Sequence, residues 1–317
     1  MALLKYILKK MLMLLPVLVG ISIVAFALGI MSPGDPVDQV LNPNGNESYT
    51  QAEYDAMAAK MGLDQPAVVQ YFNWVDGLAH GDLGRSFFTN KSVMNQLVKR
   101  IPISLKLAGF SMILTIVFGV GFGVLMAVKK DQLLDHVLGT FSTVALSVPG
   151  FWIAIVLIFL FAEQWKLLPS SGISGGSGFI LPAVTLALPS IGVCARLTRS
   201  AILDEIGRQY MTVADAKGMS RRHAVICHAF GNALIPIIPY LGNHMAGIIG
   251  GASIVETIFA IPGIGSYAIA GVQSKDYYVV QAYVLFSGCI YVLTNILIDL
   301  IYIALDPKIR AGEAVES

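Results

Sequence analysis

Residues 107–128, LAGFSMILTIVFGVGFGVLMAV, contain no charged side chain and end against Lys129 and Lys130. The hydrocarbon core of a bilayer is about 30 Å thick and takes roughly 20 mostly apolar residues per helical crossing, so this stretch has the length and chemistry of a membrane span. Five further runs free of Asp, Glu, Lys and Arg accompany it, at 11–31, 137–162, 179–195, 233–255 and 279–298, the fourth of the six being short for a crossing. The whole chain agrees with its runs. Hydrophobic residues make up 56% of the 317 positions, charged residues 13%, and mean hydropathy is +0.71; soluble domains have about 45–50% and 25%. The expected fold is an all-α integral membrane protein with about six transmembrane helices.

Charge placement orients it. With six spans and the N-terminus inside, the inner segments are 1–10, 129–136, 196–233 and 306–317, and they hold thirteen of the twenty-one Lys and Arg residues. The short outer segments hold Lys166 and Lys275, and the long segment 32–101 counts for little in the positive-inside rule. The N-terminus is therefore expected in the cytoplasm. Lys5, Lys9 and Lys10 precede a run longer than the roughly 7–15 residues of a signal-peptide core, with no A-x-A-like site after it, so the first helix reads as retained. Cys194, Cys227 and Cys289 fall in spans or inner segments, which implies no disulfide framework. A net charge of +1 argues against a nucleic-acid surface.

The chain divides into 1–31, a cytoplasmic segment and first span; 32–101, an outer region; 102–305, the transmembrane core; and 306–317, a cytoplasmic tail. In the outer region Pro66 is followed by Val68, Tyr71, Phe72, Val75 and Leu78 at helical spacing, which predicts an amphipathic helix. Inside, segment 196–233 is polar with helical spacing broken at Gly207 and Gly218, the pattern of a hydrophilic hairpin. Gly218 suits a left-handed helix end and Ser220 the N-cap of the following helix.

Catalytic signatures are few. No G-x-x-x-x-G-K-[ST] loop occurs, so any ATP is bound by a partner. Residues 263–268, GIGSYA, imitate a dinucleotide fingerprint but follow a membrane run rather than a strand. His223, Cys227 and His228 lie close together, yet a structural metal site normally takes four ligands and the rest are not in view. Of the polar groups in or beside the spans, Asn243 and His244 lie at the centre of 233–255, whereas Glu256 and Asp299 lie near span ends, where water is expected to relieve them.

The segment 210–218, YMTVADAKG, followed fourteen residues later by Asn232-Ala233-Leu234-Ile235-Pro236, resembles the cytoplasmic EAA-type loop of ABC importer permeases. The blocks Pro33-Gly34-Asp35-Pro36, Gly62-Leu63-Asp64-Gln65-Pro66, Gly81-Asp82-Leu83-Gly84, residues 256–265 and Asp306-Pro307-Lys308-Ile309-Arg310 extend the likeness to the dipeptide, oligopeptide and nickel branch of that family. The resemblance implies a type I importer fold in which Ala214, Asp215, Ala216, Lys217 and Gly218 form a coupling helix against an ATPase. It also implies a second homologous permease, two cytoplasmic ATPase subunits and an extracytoplasmic solute-binding protein in a prokaryotic inner membrane. ATP and Mg would reside in the ATPases, and this chain would bind no cofactor and catalyse nothing. Asn243, His244 and Glu256 are the candidate pathway residues. Nickel-type permeases can carry His at a place like His244, six residues before a pair like Gly250-Gly251, so His244 is also the candidate metal contact. Nickel, as ion or chelate, and di- or oligopeptides both remain open as cargo. The alternatives are a secondary transporter or channel without ATPase partners, and an intramembrane enzyme using His244, Glu256 and Asp299.

Overall fold

A computed structural model describes residues 2–31, 34–42, 45, 46, 48–173, 175–216, 218, 219, 223 and 229–305. Among these the regular structure is helical, apart from one isolated bridge between Arg85 and Ser92. Pro33, Lys217, Ser220, Cys227, His228 and the 306–310 motif lie outside the described residues. The chain forms two compact units: residues 1–104 with 262–292, and residues 105–261 with 293–317.

The first unit begins with α1 (Ala2–Ile30), which continues through Pro16. Three short helices then follow within residues 32–101. Helix α2 (Pro36–Leu41) has proline at its first position, where a missing N–H costs nothing. Its N-cap is Asp35, whose carboxylate accepts from Val37 N at 2.8 Å. Thr50 and Glu53 form a capping box on α3 (Gln51–Met61), satisfying two otherwise orphaned N–H groups reciprocally. Helix α4 (Ala67–Ala79) is the predicted amphipathic one, with a corrected face. Val68 and Phe72 are exposed, while Trp74 is buried and Tyr71, Val75 and Leu78 pack beside it. Residues 71, 74, 75 and 78 follow the 3.6-residue period better than the set starting at 68. Phe26 of α1 meets Tyr71 edge-on at 5.3 Å, and Ser22 Oγ lies 2.9 Å from Tyr71 Oη. Gly84, at φ +81°, passes so close to Tyr278 that a Cβ would sit 2.8 Å from its ring. Only glycine meets both constraints there.

The second unit is built around α9 (Ile180–Ile206). Helix α5 (Val93–Leu114), which enters this unit at Leu105, leads through a π-helical turn, Thr115–Val120, into α6 (Gly121–Val128). Then come α7 (Leu133–Ser147), α8 (Gly150–Leu157), α10 (Gln209–Ala216), α11 (Phe230–Gly251) and α12 (Ser253–Ile258). Helix α13 (Ile264–Gln273) belongs to the first unit, and α14 (Tyr277–Leu305) closes the described chain.

Among the described residues four helices are long and apolar enough to cross a membrane: Val93–Val128, Gly176–Ile206, Phe230–Gly250 and Tyr277–Ile301. A fifth is formed if the pair Leu133–Ser147 and Gly150–Gln164 counts as one, and Pro16–Ile30 is a shorter apolar stretch. The expected third span is therefore broken, with a bend of 103°. Pro149 supplies no N–H and pushes the residue before it out of the helical region. Val148 accordingly stands at φ -85° and ψ 128°. The fourth span, short when judged by charge-free residues, continues to Ile206 through Arg196 and Arg199; it is the most enclosed of the four, and Tyr277–Ile301 the least. The fifth stops at Gly251 because Ala252 leaves the helical path, and α12 restarts beyond it.

Small residues let α9 be central. A Cβ at Gly119 would lie 2.7 Å from Cys194 Cβ, one at Gly123 2.6 Å from the Ala195 carbonyl oxygen, and one at Gly192 2.5 Å from the Ser142 carbonyl oxygen. Lipid tails are as apolar as leucine, so helices in a bilayer associate through close van der Waals contact of this kind rather than by escaping water.

Candidate functional site

Two groups of residues in the second unit stand out. The first joins α9 to α11 at mid-span. Tyr240 precedes His244 by one helical turn, and their rings lie parallel, 3° apart in orientation with centroids at 6.1 Å. Ser190 Oγ is 3.1 Å from His244 Nδ1, and Tyr240 Oη donates to the Ser190 carbonyl at 3.1 Å. His244 Nε2 is buried and has no hydrogen-bond partner among the described residues. The neighbouring Asn243 is exposed on the surface of the chain. A polar side chain at mid-span with nothing covering it belongs against water or another polypeptide, because hydrocarbon offers no hydrogen bond. Glu256 behaves otherwise than expected. Although close to a span end it is 1% exposed, enclosed on the short helix α12 that restarts after Ala252, and it is not the hydrogen-bond partner of His244. No group of three or more His, Cys, Asp or Glu side chains able to hold a metal occurs among the described residues.

The second group is the hairpin between α9 and α11. Gly207 caps α9, and α10 follows after Arg208. Gly218 stands at φ +76° just past the end of α10. That is the left-handed conformation expected of it. Three polar side chains tie the base together. Tyr210 Oη donates to Glu205 Oε2 at 2.7 Å, and Asn232 Nδ2 reaches Glu205 Oε2 at 3.4 Å and Tyr210 Oη at 3.3 Å. Beneath them Met211, Ile202, Ala201, Ala127, Ala229 and Ala233 form a buried cluster. The short helix is thus anchored to the end of the most buried helix and to the start of the next.

Sequence reasoning missed several of these groups. Tyr240 carried a signal, its four-residue spacing from His244. Asp135 and Arg199 carried none. Their side chains meet across 64 residues, with Arg199 Nε donating to Asp135 Oδ1 and Nη2 to Oδ2, both at 2.7 Å, and Asp135 is 5% exposed. In the first unit Asp276 is the comparable group. Its carboxylate accepts from Ser86 and from the N–H groups of Phe87, Phe88 and Val279, which tie the 86–88 loop to the start of α14; burial nevertheless pushes its carboxyl above the ordinary range.

Comparison with known proteins agrees with this architecture. Residues 119–311 match the model of the binding-protein-dependent transport system inner membrane component, and residues 3–108 match its N-terminal companion. The probable peptide ABC transporter permease protein y4tP of Sinorhizobium fredii is 36% identical over 313 residues, covering 96% of this chain and 99% of that protein. The dipeptide transport system permease protein DppB of Escherichia coli is 33% identical, covering 97% and 99%. Among solved structures, the inward-facing MetNI methionine ABC transporter matches with a TM-score of 0.58 at 18% identity, over 67% of this chain and 97% of that one. An amino acid ABC transporter with histidines matches with a TM-score of 0.51 at 18% identity, over 65% and 92%. These two establish the fold alone. The chain belongs to the family of binding-protein-dependent transport system inner membrane components. Within it, the chain is an ABC importer permease of the dipeptide and oligopeptide type, an inner-membrane component and not itself an enzyme; ATPase and substrate-binding subunits are its general partners.

Proposed function

We propose that this chain is one membrane half of an importer for di- or oligopeptides. It pairs with a second, similar permease, above two cytoplasmic ATPase subunits and below a solute-binding protein, with its N-terminus in the cytoplasm. ATP and Mg reside in the ATPases. The observation that carries the coupling assignment is the hairpin. A helix of eight residues, ended by a left-handed glycine and anchored through Met211 on the last turns of α9, is a lever attached to the unit's central helix. Ala214, Asp215, Ala216, Lys217 and Gly218 form the docking segment. ATPase closure acts on α9 and α11 together, because Glu205, Tyr210 and Asn232 clamp both ends of the hairpin. A pathway site is then exposed alternately to the two sides.

The peptide cargo is supported by the names of the relatives aligned over nearly the full length. Nickel keeps only the support of His244, whose Nδ1 faces Ser190. Asn243, exposed at mid-span, is assigned to the pathway, His244 with Ser190 and Tyr240 to its wall, and Glu256 to the enclosed turn at its outer end. The test is affinity purification of the tagged chain from cells expressing the whole transport operon. Co-elution of two ATPase polypeptides and a second permease supports the assignment. A chain that elutes alone and transports without ATP is a secondary transporter or channel.

A further inference from the structure

We infer that the second unit holds a site for an anionic phospholipid headgroup at the Arg196 ends of its helices. Between α7 and α9 lies a cavity of about 580 Å³ whose polar walls are His136, Thr140, Thr143, Arg196, Arg199 and Asp135. Its charges are unequal. Asp135 is spent on Arg199, and that pair uses only Nε and Nη2, leaving Nη1 of Arg199 without a hydrogen bond among the described residues. Arg196 is exposed, lines the same cavity and has no partner among the described residues. The Thr140 hydroxyl and the His136 ring make no hydrogen bond among them either, so the cavity presents unused donors and a net positive charge. A phosphodiester matches that chemistry: one negative charge with several acceptor oxygens.

Inorganic phosphate shares the headgroup's chemistry, but the neighbouring surface favours a lipid. Leu133, Val137, Phe141 and Val144 are exposed along α7, beside the cavity. Their helical spacing makes an apolar strip on which acyl chains can lie. The inference rests on the proposed orientation, which puts these ends at the inner leaflet, where anionic lipids attract basic residues.

The test is native mass spectrometry of the whole co-purified importer, exchanged into an equimolar mixture of phosphatidylglycerol and phosphatidylcholine. This readout is blind to leaflet, so a wrong orientation would leave it unchanged and show itself instead in cysteine labelling from outside the cell. The wild type is expected to retain phosphatidylglycerol preferentially. Arg196→Gln is expected to lower the preference about fivefold, the weight of one surface arginine, and Arg196→Lys to keep most of it. Equal retention of the two lipids, or a preference unchanged by Arg196→Gln, overturns the site. Displacement of the bound lipid by millimolar inorganic phosphate overturns the lipid as its occupant.

Discussion

Replacing Arg199 by methionine removes the guanidinium from a nearly enclosed carboxylate while keeping the length of the side chain. The Asp135 side chain is 5% exposed and accepts two bonds of 2.7 Å from that one group, and a third from Asp131 N at 3.0 Å. Breaking a buried pair by removing one partner costs about 3–5 kcal/mol, because the remaining charge is left without a counter-charge. Arg199 is 29% exposed, and the adjoining cavity admits water to the survivor. That places the loss at the low end, about 3 kcal/mol. At about 2 °C per kcal/mol for a chain of this size, Arg199→Met should melt about 6 °C below wild type in detergent. Asp135→Asn combined with Arg199→Met should recover at least half of that drop, since the stranded charge is gone. Equal melting of wild type and Arg199→Met, or a double variant whose loss is the sum of the singles, would refute the reasoning.

Three further outcomes are expected. Gly192→Val should reduce the folded yield or the melting temperature, since even its Cβ would lie 2.5 Å from the Ser142 carbonyl. Overpacking of that kind costs about 1–3 kcal/mol, and a variant that melts like wild type shows that α7 and α9 can separate freely. Gly218→Val should abolish uptake while the permease still reaches the membrane, because φ at this position is +76°. A β-branched residue is disfavoured there, and normal uptake with normal ATPase association rejects the lever. With the native cysteines replaced, Ser48→Cys and Ser177→Cys should react with an impermeant thiol reagent on intact cells and Arg208→Cys should not, the reverse pattern inverting the topology.

Much of the fold was legible because a bilayer permits few solutions. Any backbone group in hydrocarbon must be paired within the chain, so a long apolar run can be read as a helix. Gly218 was legible for a local reason, as only glycine is at ease in the left-handed region. The bend at Val148 and Pro149 was signalled by proline but masked by the unbroken apolar run around it. Glu256 and the Asp135–Arg199 pair were not legible, since their environments depend on which helices pack together, and neither spacing nor hydropathy encodes that. The close approaches at Gly119 and Gly123 sit four residues apart in a segment rich in glycine. This is a small-xxx-small pattern whose partner helix only the structure supplies.

The most direct test of the central claim is uptake in vesicles that contain the whole importer, driven by ATP supplied with the ATPases and presented with the solute-binding protein. The same preparation is offered a labelled dipeptide and labelled nickel, and His244→Ala is measured beside wild type. ATP-dependent accumulation of the peptide, absent when the Gly218→Val permease is substituted and independent of nickel, is the predicted result. Accumulation of nickel without peptide uptake, lost in His244→Ala, would contradict the peptide assignment, and peptide accumulation that needs no ATP would contradict the importer itself.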